Sequence, residues 1–351
     1  MRVLVAMSGG VDSSVAALLM KDAGHEVIGV TLKLWSGPNG EAPTAGCCTV
    51  SDAEDARRVA AELDIPYYVL DYTEEFRDGV VERFVSDYAS GRTPNPCIEC
   101  NRTVKFDQLL GRLDEFGCDV LATGHHARIR PVDGHWALLR GADRAKDQSY
   151  VLSMLTQDQL ARTRLPVGEY TKAQVRRIAA GIGMRTARKP ESMEICFVGS
   201  GDYREFLAVN APEVFTPGRL VDTLGRVLGE HRGIVDFTIG QRRGLGIPAA
   251  GEPRFVVRID AETHTVVLGS REDLEVTEIK VAGLTGTNGA APQGGVLAQY
   301  RAHGEAVKAV LEGNTLRFAT PQRAIAPGQT VAFYDGDRVL GGALIAGVKG
   351  S

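Results

Sequence analysis

The stretch AMSGGVDSSVAALLMKDAG, residues 6–24, places two glycines and three serines between an apolar run and a helical pattern. The run that leads into the glycines, residues 3–7, is short and apolar, which is typical of a buried strand. Behind the glycines, apolar residues recur at helical spacing over residues 13–23, and Gly24 is placed to end the helix. The stretch therefore predicts a strand that enters a helix through a glycine-rich loop.

This loop has the chemistry of a phosphate cradle. Open α/β sheets bind ligands at the carboxyl ends of their strands, where glycines let backbone N–H groups face an anion and a helix N-terminus favours negative charge. Ser8, Ser13 and Ser14 add hydroxyl donors. The loop lacks the lysine of a G-x-x-x-x-G-K-[ST] motif and the spacing of a G-x-G-x-x-G motif. The alternative is a glycine-rich turn that binds nothing.

Strand and helix patterns alternate through the first half of the chain. Residues 26–35, 67–72 and 119–123 are predicted strands, and Ser51-Asp52-Ala53-Glu54 has the form of a capping box before an apolar helix face. Such alternation predicts a parallel sheet that is covered by helices on both faces.

The bulk composition is that of an ordinary globular protein. The chain has 351 residues, 44% hydrophobic and 24% charged, with a formal net charge of −4, so nucleic acid would have to be bound by local patches. No apolar window approaches the length that spans a bilayer, and the first seven residues are too short for a signal-peptide core. We therefore expect a cytoplasmic protein without a membrane partner, whose six cysteines are thiols, ligands or catalysts rather than a disulfide framework.

Three of the cysteines have a suggestive spacing. Cys97 and Cys100 form a C-x-x-C pair, and Cys196 follows about a hundred positions later in an apolar stretch. A zinc site is one interpretation, with His125 or His126 as the fourth ligand. For Cys196 the alternative is a buried core cysteine.

The glycine-rich loop, SGGVDS at residues 8–13, resembles the pyrophosphate loop of the N-type ATP pyrophosphatases. Members of this superfamily cleave ATP between the α and β phosphates and adenylate an oxygen of their substrate. The resemblance implies ATP and Mg²⁺ as cofactors, and Asp12 could help to hold the metal because Mg²⁺ prefers oxygen ligands. The nucleotide contacts that it implies are Ala6, Met7, Ser8, Gly9, Gly10, Val11, Asp12, Ser13, Leu32 and Gly124.

Further motifs, in order over essentially the whole chain, are similar to those of the tRNA-specific 2-thiouridylases. They are MSGGVDSSVAA, GRTPNPC, LATGHHAR, KDQSYVL, ICFVG and DFTIGQRRGLGI, followed by a barrel-like tail. Members of this family adenylate the wobble uridine of tRNA and place sulfur on its C2. The resemblance implies that Cys196 carries a persulfide and that Cys100 is the partner nucleophile, which leaves a Cys100–Cys196 disulfide on transfer. A cysteine desulfurase or a sulfur carrier protein would supply the sulfur.

Cys97 departs from the family pattern, in which many relatives carry an aspartate at this position. A neutral thiol is a poor substitute for a carboxylate acceptor. Either the persulfide route runs with Cys97 as a thiolate or spare thiol, or Cys97, Cys100 and Cys196 hold a [4Fe–4S] cluster with one open iron for sulfide. The sequence leaves both routes open.

A uridine in an anticodon loop must be splayed out before an enzyme can modify it. The family resemblance implies that Asn95, Pro96 and Cys97 contact this base. The other tRNA contacts that it implies are Lys146, Asp147, Gln148, Tyr300 and Arg301. Gln299 stands where relatives often have arginine, so the contact at this position is in question.

Two basic stretches fit RNA phosphates. Residues 172–189 hold six basic and no acidic residues, with apolar residues along the other face, which predicts an amphipathic RNA-binding helix. A solvated charged face is the alternative. The loop GQRRGLG, residues 240–246, is basic and flanked by glycines, and it either closes over the substrate or forms a simple hairpin turn.

The pattern changes beyond about residue 215, where short β-type runs are separated by turn signals such as Gly313-Asn314. The predicted fold begins with an α/β catalytic domain, residues 1–205, whose parallel sheet is of the adenine-nucleotide α-hydrolase type. A small β-rich linking domain, residues 206–275, and a C-terminal β-barrel that contacts tRNA, residues 276–351, complete the predicted fold.

Two other functions compete with tRNA thiolation. An adenylating ligase of the same superfamily that acts on a small metabolite would use the loop, but no glutaminase domain is evident and the cysteines would have no role. A non-enzymatic RNA-binding or zinc-stabilised module would leave the phosphate cradle unexplained. The sequence therefore favours a tRNA uridine 2-sulfurtransferase.

Overall fold

The computed structural model describes residues 1–36, 49–190, 195–198, 202–248 and 252–349. Its helices are α1 (Val11–Asp22), α2 (Val50–Glu62), α3 (residues 73–89), α4 (residues 96–111), α5 (Gln157–Ala161), α6 (Lys172–Gly181) and α7 (Tyr203–Asn210). Its strands are β1 (Arg2–Ala6), β2 (Glu26–Lys33), β3 (Tyr67–Asp71), β4 (Val120–Ala122), β5 (Ala127–Val132), β6 (His135–Arg140), β7 (Thr163–Arg164), β8 (Gly218–Asp222), β9 (Val227–His231), β10 (Phe255–Asp260), β11 (Thr265–Gly269), β12 (Glu275–Gly286), β13 (Gly294–Gln299), β14 (Val307–Glu312), β15 (Thr315–Arg323), β16 (Thr330–Asp335) and β17 (Arg338–Lys349).

The first sheet consists of five parallel strands in the order β3-β2-β1-β4-β7, which confirms the predicted parallel sheet. Successive residues of a strand point to opposite faces, and β1 therefore contributes to two cores. Leu4 packs into a core with Phe84 and Cys100, which we call the front layer. Val5 packs into a core with α1, α2 and α6, which includes Val175 and which we call the back layer.

Helix α2 begins two residues earlier than its predicted capping box implies. Thr49 is the N-cap, its side chain accepts from the Asp52 N–H at 3.1 Å, and the Asp52 carboxylate accepts from the Thr49 N–H at 3.0 Å. The predicted box at residues 51–54 is therefore wrong. Both segments have the required spacing of a hydroxyl and an acidic residue, and the aspartate of the earlier one satisfies the helix start.

The rest of the chain is mainly antiparallel. Strands β8 to β11 form a four-stranded sheet in the order β10-β11-β8-β9, in which β11 and β8 are parallel. Six strands, in the order β12-β15-β14-β13-β16-β17, close into a barrel because β12 also pairs with β17, which confirms the predicted β-barrel. The β5–β6 hairpin extends this sheet through a pairing of Leu139 with Arg338 and so joins the first half of the chain to the barrel.

Helices within the described ranges are too short or too polar to cross a lipid bilayer.

Candidate active site

The glycine-rich loop lies between β1 and α1, at the carboxyl edge of the parallel sheet. Gly9 has a φ of +71°, and a Cβ at this position would lie 2.2 Å from the carbonyl oxygen of Asp52, so only glycine fits. The Ser8 N–H donates to Ser13 Oγ at 3.1 Å, and Ser13 Oγ donates to the Gly10 carbonyl at 3.1 Å. These hydrogen bonds hold the loop in a defined shape around the start of α1.

The N-terminus of α1 is available to an anion. Its N-cap is Gly10, which supplies no side-chain hydrogen bond to the first turn. Amide groups in such a turn need partners from solvent or a ligand, and they carry the positive end of the helix dipole. Gly124, at the end of β4, lies against this turn, since a Cβ there would be 2.6 Å from Ser13 N. The arrangement fits the pyrophosphate end of ATP.

The side chains of the remaining predicted nucleotide contacts are buried or half-buried. The side chains of Met7, Val11 and Leu32 are buried in the two layers, at 2%, 4% and 6% exposure. Ala6 is half-buried at the edge of the front layer. A nucleotide would therefore meet Met7 and Val11 through their backbone.

Asp12 lies at the entrance to α1 and is held by two partners. Its carboxylate accepts from His126 Nε2 at 3.0 Å and from Lys172 Nζ at 2.6 Å. Burial raises the pKa of Asp12, but the hydrogen bonds from His126 and Lys172 outweigh this effect and lower the pKa below its usual value. An ionised carboxylate here suits Mg²⁺, which proteins commonly bind through one or two carboxylates together with substrate phosphates.

Lys189 contacts the other end of the loop. Its Nζ donates to the Gly9 carbonyl at 3.1 Å and to the carboxylates of Asp52 and Asp55, both at 2.7 Å. Burial lowers the pKa of Lys189, but these two carboxylates outweigh it and raise the pKa above its usual value. Two lysine cations, Lys172 and Lys189, therefore border the loop at opposite ends.

The sequence prediction missed the positions of these lysines. Both belong to residues 172–189, which were expected to form an RNA-binding helix, but α6 covers only the first part of that stretch and packs into the back layer through Val175 and Ala179. The stretch contains no acidic residue, so its lysines have to find carboxylates elsewhere in the fold. That imbalance was the signal that could have located them.

The three predicted catalytic cysteines differ in exposure. Cys97 and Cys100 lie on α4, where Cys97 is exposed, Cys100 is 6% exposed and a π-helical segment begins at Cys100. Such segments occur frequently at functional sites. Cys196 is half-buried and packs against the front layer, to which Cys100 belongs. The C-x-x-C pair and the distant cysteine thus lie on the same side of the parallel sheet.

Helix α3 connects the two cysteine-bearing segments. Phe197, which follows Cys196, packs edge-on against Phe84 of α3, with ring centroids 5.2 Å apart. The neighbouring Arg83 forms an ion pair of 3.1 Å with Glu99, the residue before the second cysteine of the C-x-x-C pair. Both segments are therefore anchored on the same helix.

The three cysteines do not form a ready metal site. Within the described ranges, no group of three or more His, Cys, Asp or Glu side chains is arranged to hold a metal ion. Cys97 is exposed, Cys100 is buried and Cys196 is half-buried, and the iron–sulfur route stays a prediction of the sequence. We therefore derive no reaction step through a cluster. Cys47 and Cys48 lie outside the described residues.

The expected contacts to the target base lie at the start of α4. The Asn95 side chain caps this helix by accepting from the Ile98 N–H at 3.3 Å, and Pro96 is buried. The barrel holds the segment that precedes α4, because Gln329 Nε2 donates to the carbonyls of Thr93 and Pro94 at 3.1 Å. Sequence reasoning did not find this support, which joins segments more than two hundred residues apart.

The expected tRNA contacts at residues 146–148 are only partly exposed. Lys146 is exposed, whereas Asp147 accepts from Arg140 at 2.8 Å and from Ser149 Oγ at 2.9 Å, and its side chain is 7% exposed. Gln148 Oε1 accepts from the His126 N–H at 2.8 Å. The Asp147 carboxylate thus orders this segment, and RNA phosphates would in any case repel it.

Tyr300 and Arg301 follow β13 of the barrel. Arg301 is exposed, donates to the Ala324 carbonyl at 2.9 Å and places its guanidinium 5.4 Å from the centre of the Tyr300 ring. Gln299 is buried and accepts from the Arg140 guanidinium at 3.2 Å. Gln299 therefore connects the barrel to β6 instead of facing solvent.

Three family models match the chain. They are described as a tRNA methyl transferase HUP domain over residues 1–200, a tRNA methyl transferase PRC-barrel domain over residues 204–270 and an aminomethyltransferase beta-barrel domain over residues 274–345.

Curated relatives are similar over nearly their whole length. The tRNA-specific 2-thiouridylase MnmA of Roseiflexus castenholzii is 48% identical over 98% of this chain and 99% of its own. The enzyme of the same name from Moorella thermoacetica is 50% identical over 98% of this chain and 99% of its own. A solved 4-thiouridine synthetase–RNA complex with bound ATP is 17% identical over 61% of this chain and 51% of that chain, with a TM-score of 0.37.

Proposed function

Because the chain belongs to the tRNA-specific 2-thiouridylase family, we propose that it replaces O2 of the wobble uridine of tRNA with sulfur at the expense of ATP. The observation that carries the proposal is the glycine-rich loop at residues 8–13 with Lys172 and Lys189 at its ends. Activation of a carbonyl oxygen by ATP needs such a pyrophosphate site. Two of the matching family models are described by methyl transfer, a reaction that does not require a pyrophosphate loop for ATP.

The first step activates the uracil. ATP supplies an adenylyl group, so that O2 forms a bond to the α-phosphorus and pyrophosphate leaves. Ser8, Ser13 and the amide groups at the start of α1 would hold the departing pyrophosphate, and Asp12 would hold Mg²⁺. Lys172 and Lys189 would balance the charge that develops on the leaving group, the kind of fixed electrostatic stabilisation that accelerates reactions most.

The second step transfers sulfur. Cys196 would carry the terminal sulfur as a persulfide, whose attack on C2 expels AMP and leaves C2 bonded to Cys196 through two sulfurs. A Cys100 thiolate would then attack the Cys196 sulfur, so that C2 keeps one sulfur as 2-thiouridine and a Cys100–Cys196 disulfide forms. Two thiol groups of a cellular reductant would reduce this disulfide and restore both cysteines, which suits a reducing cytosol.

The surroundings of the cysteines would receive the flipped base and its flanking phosphates. Asn95 and Cys97 at the start of α4 would contact the base, while the exposed Lys146 and Arg301 would face phosphates. A cysteine desulfurase or a sulfur carrier protein would load Cys196. In this proposal residues 1–205 perform catalysis, and residues 206–275 and 276–351 form the linking domain and the barrel.

A reconstituted reaction tests the proposal. The purified protein is incubated with a tRNA transcript, ATP, Mg²⁺ and a cysteine desulfurase with its cysteine substrate as the persulfide donor, and the nucleosides are analysed by mass spectrometry. We expect 2-thiouridine at the wobble position, with one AMP and one pyrophosphate formed for each sulfur inserted. Formation of AMP only with a small metabolite, and never with tRNA, would instead support the ligase alternative.

A further inference from the structure

An open cavity in the central part of the chain is lined by Tyr203, Arg204, Thr238, Gln241, Arg242 and Arg243. We infer that Arg242 and Arg243 bind backbone phosphates of the tRNA in this cavity. The inference rests on the proposed function, and it adds a binding site to the contacts that the family resemblance implies.

The loop that carries the two arginines is held in place by backbone hydrogen bonds. The Gly240 N–H donates to the Val256 carbonyl at 2.8 Å, the Thr238 N–H donates to Gln241 Oε1 at 3.1 Å, and Leu245 is buried as an apolar anchor. A loop that is ordered in advance presents its side chains to a ligand at a lower entropic cost than a flexible one.

Within the described ranges, the positive charge of this loop is not balanced by an ion pair. Arg242 and Arg243 are exposed, and within the described ranges neither side chain has a carboxylate partner. By contrast, the nearby Arg204 forms an ion pair with Asp202 at 2.9 Å. A guanidinium presents its N–H donors in a planar fork that matches phosphate oxygens, so an unpaired arginine doublet is suited to RNA.

The loop also borders the expected tRNA surface of the barrel. A Cβ on Gly240 would lie 2.5 Å from the Cβ of Ala324, whose carbonyl accepts from Arg301 at 2.9 Å. On its other side the cavity reaches Tyr203, whose ring stacks on Tyr88 with centroids 4.5 Å apart and packs against the front layer. The arginine doublet therefore lies between Arg301 and the layer that contains the catalytic cysteines.

The basic stretch at residues 172–189 is a weaker candidate for this role. Its helix α6 packs into the back layer, on the face of the parallel sheet opposite to Cys100. Two of its six cations, Lys172 and Lys189, are turned toward the glycine-rich loop. The cysteine side of the molecule therefore has to obtain its phosphate contacts elsewhere, and the loop at residues 240–246 supplies them.

Salt-dependent binding of tRNA to the full-length protein tests the inference. Two phosphate contacts contribute about 1.4 to 1.8 to the slope of log K against log salt concentration. The double variant R242Q/R243Q should lower the slope by this amount. If the two contacts contribute nothing at 1 M salt, this change of slope corresponds to roughly 15- to 30-fold weaker binding at 0.15 M salt. The KM for ATP should stay at the wild-type value, because the cavity does not adjoin the glycine-rich loop.

Two matched variants keep the test decisive. R242K/R243K retains both charges and should retain the slope, whereas R57Q/R58Q removes an exposed arginine doublet from α2 in the back layer and should not change it. An unchanged slope in R242Q/R243Q, with a wild-type melting temperature, overturns the inference. So does wild-type tRNA binding combined with impaired sulfur loading from a donor protein, which would assign the surface to the donor. If the wild-type protein binds tRNA but inserts no sulfur, the proposed function fails and the binding comparison still decides the inference.

Discussion

Replacement of Lys189 by methionine removes the cation that joins the glycine-rich loop to α2. The Lys189 Nζ contacts the Gly9 carbonyl and the carboxylates of Asp52 and Asp55, and the lysine side chain is 27% exposed. Methionine keeps most of the apolar stem but leaves both carboxylates next to the loop without this cation. Binding of the ATP phosphates then loses an attraction and gains a repulsion.

The size of the effect follows from the type of contact. A hydrogen bond to a charged group contributes about 1.5–3 kcal/mol, and each 1.36 kcal/mol changes an equilibrium or a rate tenfold. If Lys189 donates one such hydrogen bond to a nucleotide phosphate, K189M should raise the KM for ATP roughly 10- to 150-fold. The double variant K189M/D55N should recover part of this loss, because it removes one of the two carboxylates that K189M leaves behind.

The assay is an ATP titration of tRNA thiolation, with the tRNA dissociation constant measured in parallel. Arg57→Met on the exposed face of α2 is the control and should leave the KM for ATP unchanged, since Arg57 does not adjoin the loop. A K189M protein with the wild-type KM for ATP and the wild-type melting temperature would refute the assignment of Lys189 to the nucleotide site.

Three further predictions follow from the site. Cys100→Ser and Cys196→Ser should each abolish thiolation while the dissociation constant for ATP stays at its wild-type value, which equilibrium dialysis with labelled ATP would check; residual multiple turnover in either variant would contradict the persulfide route. Gly9→Ala forces a Cβ to within 2.2 Å of a backbone oxygen at a φ of +71°, where an L-residue alone costs about 1–2 kcal/mol, so calorimetry should show a lower melting temperature and no stabilisation by ATP. Burial lowers the pKa of His125 to about 3, so its imidazole should stay neutral from pH 5 to 8, and an NMR titration that shows protonation near pH 6.5 would oppose this.

Local patterns in the sequence predicted the first four strands of the parallel sheet and the helix that follows the glycine-rich loop. The apolar run, the glycines and the helical spacing at residues 3–23 predict β1, the loop and α1, since strand and helix periods depend only on neighbouring residues. Turn signals such as Gly313-Asn314 likewise predict the hairpins of the barrel. The start of α2 was misplaced because two overlapping segments offer the same cap chemistry, and the choice between them depends on packing against the loop through Asp52.

Contacts between distant segments could not be predicted in the same way. Lys172 and Asp12 are 160 positions apart, and Lys189 and Asp52 are 137 positions apart, so their pairing depends on how α6 packs on the sheet. The inward-facing carboxylate of Asp147 is a similar case, because its partner Arg140 is placed by the β5–β6 hairpin. Family resemblance identified Asp12 and residues 146–148 as functional, and the charge pattern identified residues 172–189, but neither showed which side chains face solvent.

The central claim is that the uracil O2 itself attacks ATP and leaves with AMP. A tRNA that carries ¹⁸O at O2 of the wobble uridine, reacted once with ATP and with protein whose Cys196 has been loaded by a cysteine desulfurase, tests it directly by mass spectrometry of the released AMP. The account predicts one ¹⁸O in the phosphate of AMP for each 2-thiouridine formed. Thiolation with unlabelled AMP and the ¹⁸O released to water would contradict it.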